Sequence, residues 1–230
     1  AGDVACMIAE PIQGVGGFAT PPDGFFGAFK ETLDRHGILF ISDEVQTGWG
    51  RTGEHFWGYQ AHGIIPDMLT FAKGLGNGMA LAGVVASAPL MDSLPANSIS
   101  TFGGNPLSTA AGLANLDFLI EHDLQTNAYK VGNRLKSNLD GLAQTSEIIA
   151  EVRGKGLMLG VELVKKSSSD PDPAAAAAVM EAAKREGLLI GKGGLYGNTL
   201  RIAPPLSLTE EEADEGFEKL SRAIATVEKP

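Results

Sequence analysis

Short apolar runs alternate with amphipathic stretches along the first part of the chain. The apolar runs have the length of buried strands and lie at residues 4–9, 38–42, 68–72 and 80–88. Between the first two, aromatic and leucine residues recur at helical spacing from Phe25 to Leu33, and Gly37 is placed to end that helix. The order strand, helix, strand predicts an α/β fold with a mostly parallel sheet and helices on both faces.

Further helices and a hairpin follow the fourth apolar run, and the pattern changes after Thr145. Two long helices are predicted first, one beginning at the cap Asn105 and one at about 124–142, and we interpret them as a bridge. The following elements read as a hairpin at 148–152 and 157–164 with its turn at 153–156, a helix at 174–185, a strand at 199–203, and a helix capped by Thr209 and Glu212. The sequence therefore predicts a large domain over 1–143 and a small α+β domain over 144–230.

Composition narrows the class of protein. Hydrophobic residues make up 43% of the 230 residues, and 18 basic against 28 acidic residues give a net charge of −10. This charge argues against a nucleic acid or membrane-surface partner, and no apolar stretch has membrane-spanning length. The single cysteine, Cys6, is expected in a strand core in a reducing compartment, so a cytoplasmic location is predicted.

The start of the chain is unusual for a complete domain. There is no initial methionine, and a buried-type strand begins at Val4. We interpret the chain as part of a larger protein, although an ordinary domain with a short first strand would give the same pattern.

Two charged residues follow strand-like runs and carry the candidate chemistry. Asp43 ends the run 38–42, and Lys73 follows the run 68–72 and precedes a glycine-rich stretch. Ligands of open α/β sheets bind at the carboxyl ends of the strands, so a lysine and an aspartate meeting there suggest pyridoxal phosphate chemistry. The ordinary structural roles for such residues are a solvated surface lysine and an aspartate that caps a helix.

Two further polar residues have both a functional and a structural interpretation. Gln46 could donate a hydrogen bond to a cofactor or be an exposed loop residue. Arg201 lies in an apolar strand, where its planar guanidinium would suit a substrate carboxylate or an internal salt bridge with Glu10 or Glu162. No metal-ligand spacing or dinucleotide motif is present, so no metal site is predicted.

Ordered motifs along nearly the whole chain resemble the class III aminotransferases of the type I pyridoxal-phosphate fold. They are AEPIQG at 9–14, ISDEVQTG at 41–48 with GRTG at 50–53, FAKGLGNG at 71–78, TFGGNP at 101–106, VRGKG at 152–156 and LRIAP at 200–204. The resemblance implies the C-terminal part of that fold's large domain followed by its small domain. The family's N-terminal half, with its phosphate-binding turn and its stacking aromatic ring, has no counterpart here.

The resemblance also implies a role for individual residues. Lys73 resembles the lysine that forms the Schiff base with pyridoxal 5′-phosphate, and Asp43 resembles the partner of the pyridinium nitrogen. Val45 would pack on the ring and Gln46 would approach its phenolic oxygen. Thr101 resembles the residue that reaches the cofactor phosphate of the neighbouring subunit in a homodimer.

Arg201 resembles the clamp for the substrate α-carboxylate. The stretch 54–62 looks most like the alanine–glyoxylate aminotransferase branch, and Val15 stands where ω-amino acid enzymes of the family tend to carry a glutamate. These features imply transfer of an amino group from an alanine-like donor to glyoxylate or pyruvate. The competing interpretations are an ω-amino acid transaminase, an aminomutase, a dialkylglycine decarboxylase, or an inactive fragment or assembly subunit.

Overall fold

The computed structural model describes residues 2–229, which fall into two compact units. The first unit contains residues 2–11, 21–50 and 55–123, and the second contains residues 12–20, 51–54 and 124–229. The units therefore divide elsewhere than at the predicted 143/144 boundary. The helix over 124–143, interpreted as part of a bridge, groups with the second unit.

The first unit alternates strands and helices. Its elements are β1 (Cys6–Ala9), α1 (Phe25–Arg35), β2 (Leu39–Asp43), a 3₁₀ helix (Gly58–His62), β3 (Met68–Phe71), β4 (Gly83–Ala86), α2 (Ala88–Met91) and α3 (Pro106–Glu121). The predicted fourth strand over 80–88 is shorter than expected, since it begins only at Gly83 and since Ser87 caps α2 and Ala88 is the first residue of that helix.

The sheet of this unit has the order β1-β2-β3-β4 within the described residues. β1, β2 and β3 run parallel, whereas β4 pairs with β3 in the antiparallel direction. The expectation of a mostly parallel sheet holds, although an apolar run alone could not fix the direction of β4. The predicted burial of Cys6 in a strand core is wrong, since Cys6 is exposed on β1, which lies at one edge of this sheet.

Helix α3 begins as the sequence predicts. Asn105 Oδ1 accepts a hydrogen bond from the Ser108 amide at 2.9 Å, and Pro106 occupies the first turn. Leu113 and Ile120 of this helix lie outside its buried side, since each is 62% exposed. The buried side of α3 carries the small residues Ser108 and Gly112 together with Leu119.

The second unit is α+β. Its elements are α4 (Leu124–Ala143), β5 (Ile149–Lys155), β6 (Met158–Leu163), α5 (Pro173–Arg185), β7 (Gly191–Gly193), β8 (Thr199–Ile202) and α6 (Glu210–Glu228). The predicted hairpin is present, but β5 continues to Lys155, so the tight turn lies later than the expected 153–156. β7 has no counterpart among the predicted strands.

The strands of the second unit form an antiparallel sheet in the order β5-β6-β8-β7. One sheet face carries the main core, in which Leu159, Val161 and Leu200 pack with Val179 of α5 and Leu220 of α6. The opposite face carries the side chains that alternate with these, including Thr199 and Arg201 in β8. This division leaves Arg201 on the face that the helices do not cover.

The last helix confirms the predicted capping box. The Glu212 amide donates to Thr209 Oγ1 at 3.1 Å, and the Thr209 amide donates to Glu212 Oε2 at 2.9 Å. Over residues 2–229, no helix combines the length and apolar character needed to cross a membrane.

Candidate active site

Asp43 and Lys73 follow neighbouring parallel strands at the same edge of the first sheet. Asp43 is the last residue of β2 and is paired with Thr70 of β3, and Lys73 comes three residues after Thr70. The Glu44 amide donates to the Thr70 carbonyl at 2.9 Å and continues the ladder beyond Asp43. The register thus brings both residues to the carboxyl edge of the strands, where ligands of such sheets bind.

The carboxylate of Asp43 is held by its own turn. Asp43 Oδ1 accepts a hydrogen bond from the Val45 amide at 3.1 Å, and the side chain is half-buried. Such a local bond fixes the direction of a short acidic side chain. Val45 and Gln46 are also half-buried, and both lie in the turn that leaves Asp43.

The backbone at Lys73 is strained. Its φ is +37°, in the left-handed region that residues with a side chain rarely occupy. The Asn77 amide donates to the Lys73 carbonyl at 3.1 Å, and Asn115 Nδ2 of α3 donates to the Gly74 carbonyl at 2.7 Å. Strain of this kind persists only where neighbouring bonds hold it, and it concentrates at functional sites. The Lys73 residue itself is exposed.

Glu44, next to Asp43, has a structural role. Its fully buried carboxylate accepts hydrogen bonds from Ser42 Oγ and Tyr59 N on one oxygen and from Thr47 Oγ1 and Gly58 N on the other. These bonds join the end of β2 to the 3₁₀ helix. The long polar and aromatic segment after Asp43 is therefore an ordered support for that strand end.

Aromatic side chains pack beside the end of β3. Trp49 contacts Trp57 at 4.7 Å and Phe71 at 5.4 Å between ring centroids. A β-carbon built on Gly74 would lie 3.2 Å from Trp49 Cδ1, so the glycine after Lys73 lies directly against this indole. Neither Asn115 nor Trp49 was identified from the sequence, because nothing in their local pattern indicates a contact with the Lys73 turn.

Thr101 lies in the same unit, on the exposed turn before α3. Arg201 lies in the second unit, in β8, with Gly160 of β6 and Gly191 of β7 as its paired neighbours. The guanidinium carbon of Arg201 lies 4.7 Å from the centre of the Phe18 ring, within the range of a cation–π contact.

A cavity of about 310 Å³ opens beside Arg201 within the second unit. Besides Arg201, its lining consists of Phe18, Leu188, Leu189, Ile190, Gly191, Ile202, Ala203 and Pro204. A cation at the edge of an apolar cavity suits a small ligand that combines a carboxylate with an apolar body.

A second arginine on this sheet face is structural. Arg153 ion-pairs with Glu151 and Glu162 and donates from Nε to the Gly17 carbonyl at 2.9 Å. Burial opposes the charge of Arg153, but the bonds to Glu162 and Glu151 outweigh burial and raise its pKa. Burial likewise disfavours the ionised form of Glu162, and the bonds from Arg153 and Asn198 outweigh it and lower the pKa of that carboxyl.

Arg51, from the GRTG motif, is also structural. It donates to the carbonyl oxygens of Leu157 at 3.2 Å and Pro204 at 2.5 Å, and burial lowers its pKa to about 10. No cluster of three or more potential metal ligands occurs in the part of the chain that the structure describes.

Comparison with solved structures supports the fold. A phospholyase from Arthrobacter, solved with phosphoethanolamine, superimposes with a TM-score of 0.92 at 34% identity, over 97% of this chain and 54% of that one. The α/β architecture is that of the type I pyridoxal-phosphate-dependent transferases.

The family follows from the sequence comparisons. The model of the class III aminotransferases matches residues 1–224. Alanine–glyoxylate aminotransferase 2 homolog 2 of Arabidopsis thaliana is 47% identical over 93% of this chain and 45% of its own length. An alanine/serine racemase of Pyrococcus horikoshii is 42% identical over 96% of this chain and 46% of its own length. The chain belongs to the class III aminotransferase family, as the motifs predicted, and it spans about half the length of these relatives.

Proposed function

We propose that the protein to which this chain belongs is a transaminase that uses pyridoxal 5′-phosphate. The observation that carries the proposal is the placement of Asp43 and Lys73 at one sheet edge, after parallel strands, in a chain of this family. A lysine and an aspartate are the groups that this cofactor needs from its protein. The exposed amine of Lys73 and the turn-held carboxylate of Asp43 fit that requirement.

Each candidate residue has a defined task in this proposal. The amine of Lys73 would hold the cofactor covalently through its aldehyde carbon, with the aldehyde oxygen released as water, and the carboxylate of Asp43 would accept a hydrogen bond from the protonated ring nitrogen. Val45 would pack on the cofactor ring, Gln46 would approach its phenolic oxygen, and Thr101 would reach the phosphate of the cofactor bound by a partner subunit. Bound pyridoxal phosphate supplies an electron sink for the bonds at the substrate α-carbon.

The substrates are a small amino acid and a small keto acid. Arg201 binds the substrate carboxylate, and Lys73 takes a proton from the α-carbon of the donor and returns one to the acceptor. The donor leaves as its keto acid, and the amino group passes to glyoxylate or pyruvate in a second half-reaction, so ping-pong kinetics are expected. Val15, 70% exposed, brings no carboxylate to compete for Arg201.

The role of Lys73 is tested with Lys73→Ala in the full-length protein. Turnover of alanine with glyoxylate should fall to background, because the proposed proton transfer depends on this amine. A readout independent of turnover is borohydride reduction in the presence of the cofactor, followed by mass spectrometry of the peptide around position 73. Lys130→Ala, on α4, is the matched control. A Lys73→Ala protein that keeps wild-type turnover would refute the assignment.

Racemisation is a second candidate function. Two relatives are racemases, the alanine/serine enzyme described above and a leucine/methionine racemase of Thermococcus litoralis, 44% identical over 98% of this chain. A racemase would interconvert L- and D-alanine without a keto acid, whereas a transaminase requires an acceptor. Incubation of L-alanine with and without glyoxylate, followed by chiral analysis, separates the two.

Product analysis also separates three further enzyme activities from the proposed one. A dialkylglycine decarboxylase releases carbon dioxide, an aminomutase yields an isomer of its substrate, and an ω-amino acid transaminase accepts 4-aminobutyrate. A non-catalytic assembly subunit would form a defined oligomer and bind no cofactor.

We infer that the protein forms a homodimer, since the proposed role of Thr101 requires a partner subunit. A cytoplasmic location stays a prediction, and the name of the Arabidopsis thaliana relative places that protein in mitochondria. Sedimentation of the full-length protein and imaging of a tagged copy test these two inferences.

A further inference from the structure

The backbone around Arg201 restricts the path of its side chain on one side. A β-carbon built on Gly193 would lie 2.6 Å from Arg201 Cδ and 2.8 Å from the Val15 carbonyl oxygen. Non-bonded carbon atoms pack best at about 3.5–4.0 Å, so no side chain fits at 193 while Arg201 stays where it is. Because Gly193 has no side chain, the Arg201 side chain can occupy the space beside it.

The ring of Phe18 restricts the guanidinium on another side. The guanidinium carbon lies 4.7 Å from the ring centre, and Phe18 is only 1% exposed. Phe18 has a φ of +57°, in the left-handed region that a residue with a side chain rarely adopts. The Phe18 amide donates to the Gln13 carbonyl at 2.9 Å, which fixes this conformation and hence the direction of the ring.

The segment that carries Phe18 is itself attached to the sheet near Arg201. The Gly194 amide donates to the Val15 carbonyl at 3.0 Å, and Arg153 donates to the Gly17 carbonyl at 2.9 Å. The Val15 carbonyl thus both bonds to the end of β7 and closes the space beside Gly193. The Phe18 ring, the segment that carries it and Gly193 together enclose the Arg201 side chain.

We propose that Gly193 and Phe18 are positioning residues, which set the place of the Arg201 guanidinium and thereby the affinity of the site for carboxylate substrates. The inference rests on the proposed role of Arg201 as the carboxylate clamp. A guanidinium binds a carboxylate through two parallel hydrogen bonds, so its direction matters as much as its charge. A methyl group at position 193 would turn the Arg201 guanidinium away from the substrate without removing its positive charge.

The chain offers a matched control on the same strand and the same face. A β-carbon built on Gly191 would lie 3.6 Å from Arg201 Cβ and 3.6 Å from its carbonyl oxygen, which is ordinary van der Waals contact. Gly191→Ala therefore adds the same methyl group beside the same arginine without displacing Cδ. Gly191 also lines the cavity beside Arg201, so we expect Gly191→Ala to change carboxylate affinity much less than Gly193→Ala does.

The test measures binding of propionate, an unreactive carboxylate, to the full-length protein by saturation-transfer NMR titration. Gly193→Ala should raise the dissociation constant about tenfold to a hundredfold, the range expected for a misdirected binding group. In an Arg201→Met background the same substitution should weaken propionate binding far less, because the part of its effect that passes through the guanidinium is then absent. In the amino-donor half-reaction, Gly193→Ala should lower the rate with alanine as donor. The rate with isopropylamine, a donor without a carboxylate, should stay unchanged.

The outcomes distinguish the inference from the proposed function. If Arg201→Met binds propionate as tightly as the wild type, Arg201 does not bind the substrate carboxylate, and both the proposed role of Arg201 and the inference are refuted. If Arg201→Met weakens binding but Gly193→Ala and Phe18→Leu do not, only the inference is overturned. An equal loss in Gly191→Ala would also overturn it. Should Gly193→Ala fail to fold, Phe18→Leu decides, since it keeps an apolar side chain and removes the ring.

Discussion

At the scale of single residues, the Asp43-Glu44 pair shows how adjacent carboxylates can have different tasks. Asp43 is half-buried and bonded only locally in its turn to the Val45 amide, whereas Glu44 is fully buried and accepts from side chains and backbone on both oxygens. The buried residue stabilises the loop, and its neighbour is available for the proposed cofactor. The sequence indicates both acids but cannot show this division, because the two backbone donors to Glu44 come from residues 14 and 15 positions away.

Glu44→Gln should destabilise the protein although the two side chains have nearly the same shape. Each carboxylate oxygen faces one backbone amide, from Gly58 or from Tyr59. An amide nitrogen in either place would therefore face a donor that cannot rotate away. A buried donor left without its acceptor costs about 1–3 kcal/mol, and the free energy of unfolding from urea titrations should fall by that amount.

The control for this change is Glu54→Gln. Glu54 is 41% exposed and its carboxylate pairs with Lys155, so its loss should cost less than about 1 kcal/mol. Equal effects of the two substitutions would contradict the structural role of Glu44.

At the scale of elements, local signals gave the positions of most helices and strands. Asn105 and the Thr209–Glu212 pair mark helix starts that the structure confirms, because a cap is a contact within one turn. β7 escaped prediction, since two of its three residues are glycine and no alternation is visible. The direction of β4 and the residues that enclose Arg201 were also not predicted, because both depend on residues distant in sequence.

Helix α4 allows a test of long-range packing against local propensity. Replacing glycine by alanine within a helix normally stabilises it by about 0.5–1 kcal/mol. At Gly132 the added carbon would lie 2.2 Å from the Gly156 carbonyl oxygen, so Gly132→Ala should instead destabilise, by about 1–3 kcal/mol.

Gly141→Ala in the same helix is the control. A β-carbon there meets nothing within 4 Å, so thermal unfolding should show a small gain in stability. A gain of the same sign at both positions would contradict the close approach of α4 to Gly156.

At the scale of the whole molecule, the candidate residues divide between the two units, with Asp43, Lys73 and Thr101 in the first and Arg201 in the second. Each unit has its own sheet within the described residues, one mostly parallel and one antiparallel. The sequence predicted this difference in class correctly from the spacing of apolar runs. It could not assign α4 to the second unit, because the helix pattern is the same whichever sheet a helix packs on.

The excess of acidic residues in the whole molecule makes its free energy of unfolding depend on pH. The chain has 28 acidic and 18 basic residues, and carboxylates that pair with cations favour the folded state only while they are ionised. Glu162 has a pKa below its ordinary value of 4.5, since the bonds from Arg153 and Asn198 outweigh the opposing effect of burial. A carboxyl with a lowered pKa contributes stability that is present above pH 4.5 and is lost as the pH falls through the folded-state pKa.

Unfolding free energies measured from pH 7 to pH 3 should therefore hold steady at first and decline below about pH 4.5. Glu162→Gln should lower stability at pH 7 and make the decline shallower, because the variant has already lost this contribution. Glu181→Gln removes a carboxylate from an exposed residue of α5 and controls for the change in net charge. Parallel acid profiles for Glu162→Gln and the wild type would show that the Arg153–Glu162 pair does not couple folding to protonation, and the decline would then have to come from the remaining carboxylates acting through the charge of the molecule as a whole.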